Sequence, residues 1–383
     1  MNLRTFFIIL GILSGLVGAA FSALAQSKNA GLGPLELRSQ YPLTQPFLSM
    51  PPESAAPLPS GVVQYSYSLA VANTFVNTQG STGQITQSTV DRGLTTDDFQ
   101  DLQGNDVPGF GLYLDVESQR HTLQWKRGLG SSEISLEMPF VSYSGGFMDS
   151  NIEAVHELIG ISNSSNSGAF RAYSARDRYA HYVIRDGSFL QANEEPVNLV
   201  SGEPVFGWKW GLTEGGDILP AISLKLAYKF AGTERSGNQA LVRSGGADWG
   251  HMLLLAKRFD GWYVYLGDGL TRLGNPEGLE PMQQHRFMAM EYRFSDTYSF
   301  LFQQMSQSSI FPDTSANLYV PDTWGGGRQE QRNASLSVPS SVIMIGQKLV
   351  WGKLIWDAAI VQDYSNFGNE VDFVVYTKLG LQW

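Results

Sequence analysis

The feature that most constrains the fold is an alternation of apolar and polar residues with a period of two, which recurs along the chain after residue 60. Successive side chains of a β-strand point to opposite faces, so this pattern predicts strands with one apolar and one polar face. The last strand is the clearest example. Its apolar positions are Val371, Phe373, Val375, Leu379, Leu381 and Trp383, and its polar or small positions are Asp372, Lys378, Gly380 and Gln382.

The connections between the predicted strands alternate between long and short in a single phase. Transmembrane β-barrels have short periplasmic turns, longer extracellular loops and an even number of strands. A soluble β-sandwich would also alternate, but it has no reason to sort its loops by side. The sequence therefore predicts an all-β fold, a twelve-stranded antiparallel transmembrane β-barrel in a bacterial outer membrane. The predicted strands are 61–77, 108–128, 131–144, 199–212, 217–231, 247–259, 260–274, 283–295, 296–309, 333–350, 351–364 and 370–383.

The chain divides into three parts, and the barrel is the last of them. Residues 1–25 contain Arg4, an apolar run and the small residues Ala23-Leu24-Ala25, which is the organisation of a secretory signal peptide. A retained membrane anchor is the alternative, because residues 6–25 carry no charge. A Pro-rich segment follows at 26–60, and the barrel occupies 61–383. We expect the Pro-rich segment to enter from the periplasmic side, and we hypothesise that it caps or plugs the lumen.

The tryptophans give an independent indication of a membrane barrel. Such barrels place belts of aromatic residues at both membrane interfaces. Five of the nine tryptophans fall near a predicted short turn or at the C-terminus, and they predict a periplasmic girdle. These are Trp125, Trp210, Trp262, Trp351 and Trp383. The terminal aromatic residue also resembles the C-terminal signal of outer-membrane barrels, so the expected partners are outer-membrane lipid and the barrel-assembly machinery.

Composition excludes several function classes. The net charge of −10 repels nucleic-acid phosphates, and the absence of cysteine excludes thiolate metal sites and cysteine nucleophiles. No nucleotide-binding glycine motif is present, and we predict no cofactor and no metal. Two groups have residue types that could bind a metal, but a solvated helix face and a solvated acidic loop are the preferred interpretations. The groups are Glu153, His156 and Glu157, and Asp97, Asp98, Asp101 and Asp106.

The inward-facing positions of the predicted strands carry charges of both signs. Twelve strands enclose a lumen of intermediate width, so opposite charges can pair across it and nearly close it. A selective filter is the alternative, with Lys225, Lys229, Glu291 and Arg293 as the chief residues. The predicted lumen charges are Asp115, Glu117, Glu137, Lys209, Lys225, Lys229, Glu291, Arg293, Lys353, Asp357, Asp372 and Lys378.

Two local irregularities are predicted. In the second strand, Leu112, Leu114 and Val116 face outward on even positions, whereas Leu123 and Trp125 do so on odd ones. A β-bulge between Glu117 and Arg120 would reconcile them. In the long loop after the third strand, the run from Ser150 to Glu153 is typical of a capping box, so we predict a short amphipathic helix over 150–160.

Two motifs resemble a known family. One is Gly33-Pro34-Leu35 leading into Arg38-Ser39-Gln40-Tyr41-Pro42. The other is Ser144-Gly145-Gly146-Phe147-Met148-Asp149-Ser150 with Glu153 and His156 on the predicted loop helix. Together they resemble the domain of unknown function 3187 family of proteobacterial proteins, over most of the chain. The chain departs from that pattern after His156. The resemblance implies no established activity.

Three functions are consistent with this barrel. The first is a narrow pore or transporter for small or amphipathic solutes. The second is an outer-membrane enzyme acting on lipid, with His121, His251 or His285 as the base, although no histidine lies in the His-x-Ser-Asn run of such enzymes. The third is a passive scaffold or adhesion barrel acting through the loops 78–107, 145–198 and 310–332. The stretch 177–193 is either a loop hairpin or two further short strands.

Overall fold

The computed structural model describes residues 31–77, 91–99, 110–150, 177–232, 237–276, 278–312, 336–363 and 371–383. The signal peptide predicted at 1–25 and the predicted loop helix beyond residue 150 lie outside these ranges. The described residues form fifteen strands of one sheet. They are β1 (Val63–Asn77), β2 (Phe110–Leu129), β3 (Ser132–Ser144), β4 (Ala180–Arg185), β5 (Ser188–Asn193), β6 (Val197–Ser201), β7 (Val205–Glu214), β8 (Ala221–Lys229), β9 (Asp248–Phe259), β10 (Trp262–Arg272), β11 (Met282–Arg293), β12 (Tyr298–Gln307), β13 (Ser340–Trp351), β14 (Leu354–Asp363) and β15 (Phe373–Gln382).

Twelve of these strands form a closed ring. Each strand from β7 to β15 pairs with the next, β7 pairs with β3, and β3 pairs with β2. The ring closes where β1 pairs with β15, from Gln64 opposite Gln382 to Asn73 opposite Phe373. Every pairing in the ring is antiparallel, so the predicted twelve-stranded antiparallel β-barrel is confirmed.

The two faces of the barrel wall differ as the alternation predicted. In β8 the outward Leu226 and Tyr228 are each 42% exposed, whereas the inward Lys225 and Lys229 are 7% and 3% exposed. Apolar side chains therefore face the surroundings, and charged side chains face the interior. This is the reverse of a soluble domain, and it suits a wall surrounded by lipid. In the described part of the chain, no helix is both long enough and apolar enough to cross a membrane.

The predicted bulge is absent from the described strand β2. Its register with β1 and with β3 runs without a shift through Glu117 and Arg120. Leu112 therefore faces the interior together with Arg120, and it belongs to the main buried apolar cluster. The prediction failed because both faces of the upper part of β2 are covered by protein, so an apolar residue there does not indicate lipid.

The upper part of β2 extends above the ring and carries a further sheet. Beyond Asp115, the partner of β2 is β4 instead of β3, and β4 forms a hairpin with β5. The short strand β6 pairs with the upper end of β3. The stretch 177–193 is therefore a loop hairpin outside the ring. Its outer face packs in a second apolar cluster that includes Phe75, Phe99, Tyr113 and Tyr182.

The motif from Ser144 to Ser150 lies where β2 and β3 separate. Glu117 accepts hydrogen bonds from the backbone N–H groups of Phe147 and Met148, at 2.9 and 3.0 Å. Gly146 has a φ of 72°. A Cβ atom there would lie 2.1 Å from the Glu117 carboxyl group, so the motif requires glycine for both reasons.

Asp149 continues this turn and joins it to β1 and to the segment before β4. Its carboxylate accepts hydrogen bonds from the Asn73 side-chain amide at 2.9 Å and from the Asp177 backbone N–H at 2.7 Å. Asn73 lies in β1, and Asp177 precedes β4. The turn therefore links β1, β2 and the extracellular hairpin at the point where the barrel wall divides.

Replacing Gly146 by alanine should destabilise the barrel more than the same change at Gly130. Gly130 also has a positive φ, 68°, but nothing lies within 4 Å of its Cβ position. Gly130→Ala should therefore cost only the backbone strain, about 1 kcal/mol. Gly146→Ala adds a collision with Glu117 and should cost about 3 kcal/mol in total. Urea unfolding of the refolded variants in detergent measures the difference, and equal losses would contradict this account of the turn.

Candidate functional site in the barrel interior

The Pro-rich segment lies inside the barrel. We refer to its described residues, 31–60, as the luminal segment. Leu35, Tyr41 and Ala55 are fully buried, and Glu53 is 2% exposed. The sequence analysis has this segment enter from the periplasmic side and hypothesises that it caps or plugs the lumen, and its described residues lie inside the ring of strands. Its seven prolines prevent it from joining the sheet, but its apolar and charged side chains find partners on the inner face.

The luminal segment rises from the short-turn end of the barrel and returns to it. Near the end of β11, Glu291 accepts hydrogen bonds from the backbone of Leu32 at 3.0 Å and of Gly33 at 3.2 Å. At the opposite end of the barrel, Asp248 accepts one from Leu48 at 2.8 Å. Further along, the chain descends, and the backbone N–H of Leu58 donates to Glu133 at 2.8 Å beside the β2–β3 turn.

Arg38 fixes the turn at the top of this path. One guanidinium nitrogen of Arg38 donates to the carbonyls of Thr44 and Phe47, at 2.7 and 2.9 Å. The chain between Arg38 and Phe47 contains a single 3-10 turn, Pro42–Thr44. Tyr41 and Phe47 belong to the apolar cluster that also contains the upper, inward residues of β2. The apex is therefore held by internal hydrogen bonds and by apolar packing against the wall.

Two carboxylates of the luminal segment bind four lysines of the wall. Glu36 contacts the ammonium groups of Lys126 at 2.8 Å and Lys378 at 2.7 Å.

Glu53 contacts Lys225, Lys209 at 3.4 Å and Lys126 at 3.7 Å. We call Lys126, Lys209, Lys225 and Lys378 the lysine cluster. Each lysine is less than a tenth exposed, so without a partner each charge would be strongly disfavoured.

The lysine cluster has few other anionic partners. The wall residue Glu133 contacts Lys209 at 3.1 Å. Within the described residues, the other ion pairs of the cluster are with Glu36 or Glu53. The cluster lies in the half of the barrel nearer the short turns.

Most of the other charged residues of the interior pair within the wall or with its loops. Their partners do not involve the luminal segment's carboxylates. The pairs are Arg120 with Glu137 at 3.1 Å, Lys348 with Asp357 at 2.9 Å, and Lys229 with Glu203 and with Asp248 at 3.3 Å. Glu291 differs, because it accepts hydrogen bonds from the Leu32 and Gly33 backbone and from the Tyr265 hydroxyl. The interior thus contains two sets of ion pairs, one that belongs to the wall and one that depends on the luminal segment.

The predicted lumen charges fall into three groups. Those that face the interior are Glu137, Lys209, Lys225, Lys229, Glu291, Asp357 and Lys378. The second group lies at strand ends and turns. Arg293 is paired at 3.2 Å with Asp296 of the exposed β11–β12 turn, and Lys353 lies in the β13–β14 turn. Asp372 accepts a hydrogen bond from the Phe75 backbone at 2.9 Å.

Asp115 and Glu117 form the third group. They lie on the opposite face of β2 from Arg120, because no bulge intervenes.

Three of the interior charges, Lys126, Glu36 and Glu53, are not among the predicted lumen charges. Lys126 alternates with the outward Leu123 and Trp125, and that signal was sufficient to find it. Glu36 and Glu53 had no such signal, because an irregular Pro-rich segment has no periodicity from which a facing direction can be read.

Little space remains between the luminal segment and the wall. A polar cavity of about 40 Å³ lies beside β1, β2 and β15. Ser66, Gln124 and Tyr376 are among its lining residues. One water needs roughly 10–15 Å³ of such space, so this cavity accommodates a few water molecules. The passage alongside the luminal segment is therefore closed to larger solutes at this point.

The predicted girdle tryptophans lie on the outer face near the short turns. Trp210, Trp262, Trp351 and Trp383 are each between 44% and 50% exposed, and Trp125 is partly buried. Several lie against neighbouring aromatic rings. The pairs are Trp383 with Tyr65 at 5.3 Å, Trp262 with Tyr292 at 4.8 Å, and Trp351 with Trp356 at 6.3 Å.

A second group of aromatic residues lies toward the long-loop end. Tyr228 and Phe230 have ring centroids 5.1 Å apart, and β9 places Trp249 opposite Tyr228. Aromatic residues therefore flank the apolar band at both ends. The alternation along β8 and β9 is the sequence signal that could have identified the upper group.

The candidate catalytic histidines have different partners. His121 Nδ1 lies 2.7 Å from the Tyr67 hydroxyl on the outer face, and His285 Nε2 lies 3.0 Å from Thr271 Oγ1 in the interior. His251 stacks on Trp249. In the part of the chain that the structure describes, none of the three has a carboxylate partner, so no Ser-His-acid constellation is formed there.

The candidate metal ligands lie partly outside the described residues. Glu153, His156, Glu157, Asp101 and Asp106 fall in ranges that the structure does not describe. Asp98 accepts a hydrogen bond from the Thr95 backbone at 2.8 Å and pairs with Arg92. Among the described residues, no group of three or more histidines and carboxylates is placed to hold a metal ion.

His181 is a buried histidine of the extracellular hairpin, in β4. Its Nε2 atom lies 2.8 Å from the side-chain oxygen of Gln191. Burial lowers the pKa of His181 from 6.5 to about 4, and the Gln191 hydrogen bond opposes this shift only partly. The hairpin therefore favours the neutral imidazole.

Comparison with known proteins identifies the fold. The outer-membrane channel COG4313 of Pseudomonas putida F1 is similar over 88% of this chain and 100% of its own, with a TM-score of 0.51 and 8% identity. LpxR of Salmonella typhimurium is similar over 83% and 99%, with a TM-score of 0.37 and 10% identity. A FadL homologue of Pseudomonas aeruginosa is similar over 95% and 99%, with a TM-score of 0.32 and 9% identity.

These likenesses concern the fold alone. No protein-family model matches the chain, and no curated protein matches its sequence. The resemblance to the domain of unknown function 3187 family therefore stays a prediction. The closed barrel and its apolar outer face place the protein in the bacterial outer membrane.

Acidification should open the extracellular hairpin. Because the pKa of His181 is about 4 in the folded hairpin and 6.5 ordinarily, the opened form binds the proton more tightly. Stability is therefore lost as the pH falls from 6.5 toward 4, by up to about 3 kcal/mol. Hydrogen exchange of the β4 and β5 amides at about pH 7 and about pH 4.5 measures this loss. A His181→Gln control should lack the pH dependence, and an equal dependence in the control would contradict the assignment.

Proposed function

We propose that the protein is a narrow outer-membrane channel for small or amphipathic solutes, in which the luminal segment occludes the passage at rest. The observation that carries this proposal is the content of the interior. A separate chain segment, and not wall side chains meeting across the bore, occupies the space between the strands. Glu36, Glu53 and Arg38 hold that segment through polar contacts, so its removal would leave a passage lined by charged and polar groups.

The width of the barrel is consistent with this function. Eight-stranded barrels are filled by their own side chains, whereas barrels of sixteen or more strands hold open aqueous channels. A twelve-stranded barrel lies between these cases, and its inner face here includes small residues such as Ser66, Ala70 and Ser223 where the luminal segment passes. Such a wall leaves room for a segment, or for a solute in its place.

Two partners complete the proposal. The apolar outer face and its aromatic girdle would contact outer-membrane lipid directly. The C-terminal strand β15, which ends at Trp383, would be recognised by the barrel-assembly machinery during insertion. Both partners are supported by the barrel architecture and by the position of the terminal aromatic residue.

Deletion of residues 26–60 should increase conductance. The test compares single-channel currents of the refolded full-length barrel and of the deletion variant in a planar bilayer, with folding checked by circular dichroism. Steps in either protein support a channel, and larger or more frequent steps in the deletion variant support occlusion by the luminal segment. Silence in both folded proteins would contradict a channel, and it would favour the lipid-modifying or scaffold alternatives.

A disulfide between the luminal segment and the wall should hold the channel closed. Ser223 donates a hydrogen bond to the Ala55 carbonyl, and both residues are fully buried. Since the chain contains no cysteine, the pair Ala55→Cys and Ser223→Cys would be the only thiols present. Oxidation should abolish the steps, and reduction should restore them. The single Ser223→Cys variant is the control, and oxidation-independent steps in the double variant would show that this part of the segment need not move.

A further inference from the structure

We infer that the lysine cluster is an anion site for the carboxylate groups of organic solutes, and that Glu36 and Glu53 occupy it at rest. This inference rests on the proposed channel function and names the class of solute. Its basis is the set of contacts in which two glutamates of the chain itself bind four buried lysines of the wall.

Charge counting shows what the site lacks without the luminal segment. Lys126, Lys209, Lys225 and Lys378 supply four positive charges, and Glu133 is the wall carboxylate in contact with them. If the luminal segment moved away, these four charges would face two wall carboxylates, Glu133 and the Glu291 that the segment backbone now contacts, so two positive charges would be in excess in a narrow interior. Unpaired buried charges are strongly disfavoured, so the vacated cluster would attract anions.

The neighbouring charges of the wall do not compensate the cluster. Arg120 is paired with Glu137, and Lys348 is paired with Asp357. These carboxylates are therefore already neutralised by their own partners. The excess of positive charge stays with the lysine cluster, in the half of the barrel nearer the short turns.

The geometry indicates carboxylates as the preferred ligands. The Lys126 ammonium lies between the two glutamates, 2.8 Å from Glu36 and 3.7 Å from Glu53. Two carboxylates can therefore occupy the cluster together and share one lysine. A solute with one or two carboxylate groups would reproduce these contacts and compete with the luminal segment for the same lysines.

The test uses the full-length chain with Glu36→Gln and Glu53→Gln together. The amides keep the shape of the side chains but remove both negative charges. We expect more frequent openings than in the unmodified protein, and a several-fold preference for chloride over potassium from the reversal potential in a KCl gradient. Glu195→Gln is the matched control, because Glu195 is exposed in the extracellular loop before β6. This control should behave as the unmodified protein.

Removing positive charge should weaken the chloride preference. Lys209→Gln and Lys225→Gln, added to the double glutamine variant, should keep the conductance and lose most of the chloride preference. If the double glutamine variant does not fold, the single variants Glu36→Gln and Glu53→Gln each leave one carboxylate in place and should show smaller shifts in the same direction.

Benzoate and benzyl alcohol then test the ligand class, since they differ in the carboxylate. Benzoate should block the chloride current of the double glutamine variant, whereas benzyl alcohol should not. Equal block by inorganic phosphate would overturn the preference for carboxylates. Openings without anion preference would overturn the inference while the channel function stands, and the absence of any conductance in every folded variant would contradict the channel itself.

Discussion

The constraint on which the structure depends is the hydrogen bonding of the backbone in lipid. No water is available there to satisfy a free strand edge, so a spanning sheet must close on itself. Here closure joins β1 to β15, the first and last strands of the chain. Closure in turn fixes a narrow interior that receives every second side chain of the wall. Whatever charge those side chains carry must find a partner within that interior, because the space for water is small.

The interior meets this requirement in two ways. Lys348 and Asp357 are neighbours on adjacent strands and pair without help. The lysine cluster instead takes most of its partners from the luminal segment, so the charges of the wall and of the segment are not balanced without each other. Toward the other end of the barrel, Tyr41 and Phe47 pack against the apolar inner face of β2. The luminal segment therefore makes ionic contacts at one end and apolar contacts at the other, and a solute that displaced it would have to replace the ionic contacts first.

The sequence predicted the architecture well, because period two and loop length report directly on strands and on their sidedness. Inward charges such as Lys209, Lys225 and Lys229 followed from the same alternation. The prediction failed at Leu112, which faces the interior, because the extracellular hairpin and the motif turn cover the outer face of β2 where lipid was assumed. The roles of Glu36 and Glu53 were out of reach for a different reason. Their contacts join residues from just over seventy to more than three hundred positions apart, and an irregular segment has no periodicity that would indicate them.

The contact between Glu36 and Lys378 links sites 342 residues apart, almost the full length of the chain. Lys378 lies in β15, which follows the other eleven strands of the ring along the chain, so this ion pair cannot form until all of them have been synthesised. Until then Glu36 can contact Lys126 of β2 but lacks its second lysine partner. The order of synthesis thus makes Glu36 one of the last side chains to complete its contacts. When β15 pairs with β1, it closes the wall against lipid. It also brings Lys378 into the interior, where this lysine completes the set of charges.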